Sequence, residues 1–241
     1  MKGIKYILKK VEQLPKGYLF TYEQLLDTPM EREAVIKSLN RLVATGEIKK
    51  YSKGRFYAPE ISPFGPLKPS ESEIIKDLLE DEGEVVGYLT GIEIYRRLGL
   101  TTQMSNTIQI GKNQVRPKFK RGKLQISIIE QKNKITRQNI PFLQLLDAIR
   151  YINKISDRSI ERACERIMEI LKKFTDIDIQ ELIMLALNYP PSTRAKLGAM
   201  LEIVWKKNET AMLLASLNPI SSFKFDVSSE LLKTKQKWQL I

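Results

Sequence analysis

The side chains best suited to chemistry lie in a short basic stretch near the N-terminus. In Ala34-Val35-Ile36-Lys37-Ser38-Leu39-Asn40-Arg41-Leu42-Val43 the apolar residues recur at helical spacing. Val35, Ile36, Leu39, Leu42 and Val43 therefore share one face, and Ala34, Lys37 and Arg41, flanked by Ser38 and Asn40, take the other. An Arg or Asn on such a face can pair bidentately with the edge of guanine or adenine. Lys37 and Arg32 can take phosphates, and a small Ala34 permits close approach to a groove. Gly46 ends the helix, and Ile48-Lys49-Lys50-Tyr51-Ser52-Lys53-Gly54-Arg55-Phe56-Tyr57 reads as a β-hairpin turning at Lys53-Gly54. That hairpin would carry Lys49, Lys50, Lys53 and Arg55 toward a phosphate backbone. The competing reading is that these cations only solvate a helix and a hairpin.

Other residue types point away from catalysis. Asp176-Ile177-Asp178, with Glu181 beyond it, has the spacing by which two-metal enzymes place carboxylates on magnesium, but such sites need a strand that aims both acids the same way. Here the pattern continues as a helix, so Asp176 and Asp178 read as residues favoured at a helix start by the macrodipole. With one cysteine, Cys164, and no histidine, the chain can form neither an internal disulfide nor a Cys–His or Ser–His catalytic pair nor a His-containing zinc site. Cys164, Trp205 and Trp238 read as core or interface residues. We expect no enzyme, no cofactor and no metal.

Charge gives the partner class. Forty Lys and Arg against 28 Asp and Glu leave +12 over 241 residues, and without histidine that charge changes little between about pH 5 and 8. A polyanion is the expected partner, nucleic acid first among the candidates. The segment 112–137 concentrates the excess, with nine cations and the single acid Glu130. Within it Arg116, Lys118, Lys120, Arg121 and Lys123 form a candidate second basic surface, the alternative being a solvated sheet face. No apolar run is long enough for a membrane span or a signal peptide, so no membrane partner is expected and the cytoplasm is the expected location.

The elements that would position these residues follow from periodicity and stop signals. A first helix is expected over 4–14. Thr21-Tyr22-Glu23-Gln24 is a capping box for a short second helix, and Thr28-Pro29-Met30-Glu31 one for the third, which carries the basic face. Together with the hairpin this predicts a winged helix-turn-helix over 1–60. The Pro- and Gly-rich passage 61–69 predicts a linker, after which Ser70-Glu71-Ser72-Glu73 starts a new helix and the domain 70–241. From about 84 to 131 a short helix at 91–98 and strands at 107–111, 116–120 and 124–130 make an α+β module. Beyond Pro141 the spacing turns mainly helical. The fold class expected for the whole is α+β.

Several short motifs, in order, carry a resemblance: Pro15-Lys16-Gly17-Tyr18-Leu19-Phe20-Thr21-Tyr22, the helix from Ala34 to Leu42, Ser52-Lys53-Gly54-Arg55-Phe56-Tyr57, Gly87-Tyr88-Leu89-Thr90-Gly91, Leu98-Gly99-Leu100-Thr101-Thr102-Gln103, Asn188-Tyr189-Pro190-Pro191-Ser192-Thr193-Arg194-Ala195-Lys196-Leu197-Gly198-Ala199, Leu217-Asn218-Pro219 and Lys237-Trp238. The chain thereby resembles the AbiEi-like antitoxins of type IV abortive-infection toxin–antitoxin systems, a form of phage defence. The resemblance implies a winged-helix repressor that binds operator DNA of its own operon and counteracts a nucleotidyltransferase-like toxin without necessarily forming a stable complex with it. The alternatives left by the residues are a stand-alone winged-helix transcriptional regulator and a metal-dependent nucleic-acid-processing enzyme using Asp176, Asp178 and Glu181.

Overall fold

Two apolar helical stripes and a few short, alternating strands close the first of two cores. In the computed structural model, which describes residues 2–26, 32–155, 159–205 and 210–241, the chain mixes helix and strand. It divides into two compact units, Met1–Leu78 with Lys120–Lys123, and Leu79–Phe119 with Leu124–Ile241. The fold class is α+β, as the patterns predicted.

In the first unit, α1 (Lys2–Glu12) buries Ile7 and Val11, and α2 (Arg32–Ala44) buries Val35, Leu39 and Leu42 against them. Strands β1 (Phe20–Thr21), β2 (Lys49–Ser52) and β3 (Arg55–Tyr57) form an antiparallel sheet in the order β1-β3-β2. Phe20 and Phe56 face each other across β1 and β3, with their rings stacked 6.3 Å apart. Gly54, at φ 75, supplies the left-handed residue that a two-residue turn between β2 and β3 requires.

Some expectations for this unit change. The second helix is only a 3-10 turn, Glu23–Leu25; Thr21 N–H donates to Gln24 Oε1 at 3.1 Å, while Tyr22 makes no side-chain cap. The capping box at Thr28-Pro29-Met30-Glu31 lies outside the described residues. The passage 61–69, expected as a linker, carries a hairpin of β4 (Ile61–Ser62) and β5 (Gly65–Pro66), because proline excludes helix but is tolerated in an edge strand. The helix that follows, α3 (Glu71–Leu79), belongs to this unit through Leu78. Ser70 Oγ caps it by accepting from Glu73 N–H, but Glu73 does not return the bond; its carboxylate accepts from Leu19 N–H instead. The chain therefore parts after Leu78 rather than at 61–69.

The second unit begins with a small hairpin, β6 (Glu80–Asp81) and β7 (Glu84–Val85), followed by β8 (Tyr88–Thr90) and α4 (Ile92–Arg97). In this unit β9 (Thr107–Lys112) pairs antiparallel with β8 and parallel with β11 (Leu124–Glu130), in the order β8-β9-β11, while β10 (Phe119–Arg121) falls largely in the first unit. Beyond β11, α5 (Ile140–Tyr151), α6 (Ile160–Leu171), α7 (Asp176–Ala186), α8 (Pro191–Val204) and α9 (Ala211–Ala215) share one apolar core with Cys164 inside it, and α5 packs against β8. Burial pushes the Cys164 thiol up to about 12, which leaves it unreactive at neutral pH. No helix among the described residues is long and apolar enough to cross a membrane.

The C-terminal tail, with little regular structure, closes this core. Trp238 is fully buried and lies on Gly198 of α8, where a Cβ would meet its six-membered ring. Gly198→Ala is therefore expected to lower stability by about 1–3 kcal/mol through overpacking. Urea unfolding followed by tryptophan fluorescence reads this, and Trp238→Phe in the same chain should recover part of the loss.

Candidate nucleic-acid interface

The helix periodicity that buries Val35, Leu39 and Leu42 leaves Lys37, Asn40 and Arg41 exposed on the opposite side of α2. Arg32 is exposed at the start of the helix, its guanidinium 4.8 Å above the Tyr22 ring. Ser38 does not join them. It is 6 % exposed, because 38 lies next to 35 and 42 on a helical wheel and so turns toward the core. Ser38 is thus removed from the group of side chains available to a groove.

On the hairpin, Lys49, Lys50 and Lys53 are exposed. Arg55 points instead to Asp77 of α3, whose carboxylate it shares with Arg121. Arg121 Nη2 lies 2.7 Å from Asp77 Oδ2, and its Nη1 donates to the Ile74 carbonyl at 2.6 Å. Burial by itself would raise the Asp77 carboxyl, but hydrogen bonds and charge from Arg121 and Arg55 outweigh it and hold the group well below the usual carboxylate range. Two candidate contact residues, Arg55 and Arg121, are therefore committed to a carboxylate that binds the unit together.

The expected second basic surface is divided as well. Lys120 and Lys123 are exposed in the first unit, whereas Arg116 and Lys118 are exposed in the second. The Arg116 guanidinium lies 3.7 Å from the centre of the Phe119 ring, a cation–π stack. With Arg121 withdrawn, four of the five cations are exposed, shared between two units.

The acids considered for metal chemistry are placed on α7. Asp178 forms a capping box with Thr175, accepting from its backbone N–H at 2.8 Å, while Thr175 Oγ1 accepts from Asp178 N–H at 3.2 Å. Bonds from the Thr175 backbone N–H and, at 2.7 Å, its hydroxyl hold the Asp178 carboxyl below the ordinary range. Among the described residues, no three Cys, Asp or Glu side chains converge as a metal site.

A polar centre in the second unit was not anticipated from the sequence. Asp147, on α5 and 1 % exposed, accepts from the Tyr88 and Thr90 hydroxyls at 2.8 and 2.9 Å on Oδ2 and from Tyr189 at 3.0 Å on Oδ1. Gln131 Nε2 donates to both tyrosine hydroxyls at 2.8 Å, and Gln131 Oε1 accepts from the backbone and side chain of Asn133. The signal for this centre was one acid inside the apolar run Leu143-Gln144-Leu145-Leu146-Asp147-Ala148-Ile149; its partners lie too far off in sequence to be inferred.

Burial raises the Asp147 carboxyl to about 6, opposed by the three hydroxyl bonds and the charge of Arg150. An unfolded Asp titrates near 3.9, so between those values the folded chain binds more protons than the unfolded one, and stability falls as pH rises. The contribution is whole below about pH 4 and is lost through about pH 6, on the order of 2–3 kcal/mol. Asp147→Asn should remove this slope, since the hydroxyls can reverse and Tyr189 can donate to the Leu143 carbonyl, 3.2 Å away. Urea unfolding of parent and variant across this pH range measures the difference; parallel curves would refute the assignment.

Comparison with known proteins adds a family and a fold. The model of a family of unknown function, DUF6088, matches residues 6–179. No curated protein matches the chain. Among solved structures, the RV2827C protein from Mycobacterium tuberculosis matches with a TM-score of 0.57 at 13% identity, covering 100% of this chain and 91% of that one. At that identity the likeness speaks for a shared fold alone.

Proposed function

The chain belongs to the DUF6088 family, whose function is unknown, and on the geometry of its first unit we propose that it is a winged helix-turn-helix protein that binds DNA. One observation carries the proposal. α2 turns Lys37, Asn40 and Arg41 outward while the β2–β3 hairpin of the same unit presents Lys49, Lys50 and Lys53, all exposed around one closed core. In this reading α2 enters the major groove, Asn40 and Arg41 meet base edges, Lys37 and Arg32 meet phosphates, and the hairpin is the wing on the backbone. The net charge of +12 supplies the long-range attraction.

The biological role that goes with this activity is autorepression by an antitoxin in the cytoplasm, with operator DNA and a nucleotidyltransferase-like toxin as partners. This part rests on the resemblance to AbiEi-like antitoxins. Co-expression with a nucleotidyltransferase-like gene beside its own tests it: rescue of growth supports the antitoxin, whereas repression without rescue leaves a stand-alone regulator.

DNA binding is tested by fluorescence anisotropy on the full chain, comparing the region upstream of its gene with a shuffled duplex of equal length. Lys37→Ala should weaken both duplexes alike and reduce the salt slope by about one. Arg41→Ala should cost about 1–3 kcal/mol, mainly on the upstream duplex. Ser38→Ala should leave the salt slope unchanged, since its side chain is buried. Parental affinity in both the Lys37 and Arg41 variants would overturn the recognition-helix reading.

A further inference from the structure

Gln131 and Tyr189 of the buried polar centre form the floor of a cavity of about 510 Å³. The size is within the range of small-ligand clefts, about 300–1,000 Å³. Three cations line it: Lys132 just after β11, Arg150 on α5 and Arg194 on α8, with Glu130 the one acid among the lining residues. The floor explains why they meet. Lys132 follows Gln131, Arg150 lies one helical turn beyond Asp147, and Arg194 comes one turn into the helix that follows Tyr189, so the hydrogen bonds joining Gln131, Asp147 and Tyr189 gather all three elements.

None of the three cations is in an ion pair among the described residues, unlike Arg55, Arg121, Arg137 and Arg166. Arg194 and Arg150 are half-buried, and Lys132 is exposed. Two guanidiniums present planar forks that suit phosphate or carboxylate oxygens. The number of donors decides between them. With the Asp147 carboxylate beneath already bonded by three hydroxyls, two guanidinium forks and one ammonium suit the three oxygens of a phosphomonoester better than the two of a carboxylate. The rim is the first turn of α8, whose dipole also favours an anion, but Pro190 and Pro191 lack N–H groups, so side chains have to supply the hydrogen bonds. Leu187 and the two prolines add an apolar wall on which a ring could lie.

We propose that this cavity binds a terminal phosphate, with Arg150 and Arg194 as its forked donors and Lys132 as a third cation, on a ligand of nucleotide size. The site is separate from the DNA-binding residues of the first unit and does not depend on that reading. Its phosphate comes from a free nucleotide or from the end of a nucleic acid strand, and the probes separate these sources.

Isothermal titration calorimetry of the full chain uses four kinds of probe: inorganic phosphate, the four nucleoside 5′-monophosphates, the matching nucleosides, and a short single-stranded oligonucleotide with and without a 5′-phosphate. Saturable binding of at least one monophosphate, with its nucleoside silent, is expected. Preference for the phosphorylated oligonucleotide over the monophosphates would assign the strand end as the source. Arg194→Gln and Arg150→Gln should each weaken binding about tenfold or more, and Lys132→Gln, at an exposed position, by less. Should either arginine variant fail to fold by circular dichroism, Arg→Lys at the same position keeps the charge, removes the fork and should still weaken binding. Lys37→Ala should bind like the parent. The proposal is overturned if no phosphorylated probe binds up to about 5 mM, if nucleosides bind as well as their phosphates, or if folded Arg150 and Arg194 variants bind with parental affinity.

Discussion

A carboxylate enclosed in a helical core has to be solvated by the protein, and in the second unit this requirement organises the structure. Asp147 lies among Leu143, Leu146 and Ile149, where an unpartnered charge would be strongly destabilising. It persists because Tyr88 and Thr90 arrive from β8 and Tyr189 from the α7–α8 connection, each with a hydroxyl to donate. Gln131 then ties the two tyrosines to the end of β11, and Asn133 ties Gln131 to the Leu185 carbonyl of α7. Sheet and helices are held in one register by a network in which both Gln131 amide hydrogens have acceptors. Such networks have few alternative arrangements, since any slip leaves a buried polar group without a partner. The cavity above inherits its shape from that restriction.

In the first unit, Asp77 has the corresponding role at the surface of α3. One carboxylate gathers Arg55 from the hairpin and Arg121 from the 120–123 turn, so two cations of a strongly basic chain are used for cohesion. The division of labour is physical. Arginine presents a planar fork that suits a carboxylate, whereas the lysines of the hairpin keep hydrated, mobile charges that suit a phosphate backbone. The cations left exposed on the first unit include Arg32, Lys37, Arg41, Lys49, Lys50, Lys53, Lys120 and Lys123.

Membership of a family without known function, together with a likeness to RV2827C at the level of fold, leaves chemistry to be argued from side chains. The two units differ in this respect. The first has exposed cations on a helix and a hairpin, and the second has one exposed and two half-buried cations around a cavity, over a buried and hydrogen-bonded floor. The family match spans 6–179 and so covers the first unit's basic residues, Asp147, Lys132 and Arg150, but not Tyr189 or Arg194.

Much of this architecture is legible in the amino-acid sequence. The stripe on α2, the turn at Lys53-Gly54, the strands near 107 and 124 and the helices after Pro141 follow from apolar period and stop residues, because those signals act within one or two turns of chain. Asp178 as a helix cap is legible for the same reason. What escaped are the partnerships. Ser38 looked exposed until the unit closed over positions 35 and 42, and the proline-rich 61–69 looked like a linker because local rules exclude a helix there without excluding a hairpin. Arg121 and Asp77 are 44 residues apart and Tyr88 and Asp147 are 59 apart. Periodicity says which face of an element is polar, but which polar groups meet depends on how the elements pack. Composition and local pattern thus determined a basic α+β chain with an exposed cationic helix and hairpin. Tertiary structure decided which cations are held by Asp77 and which remain exposed, since desolvation and distance, the terms that set the strength of an ion pair, exist only once the chain has folded.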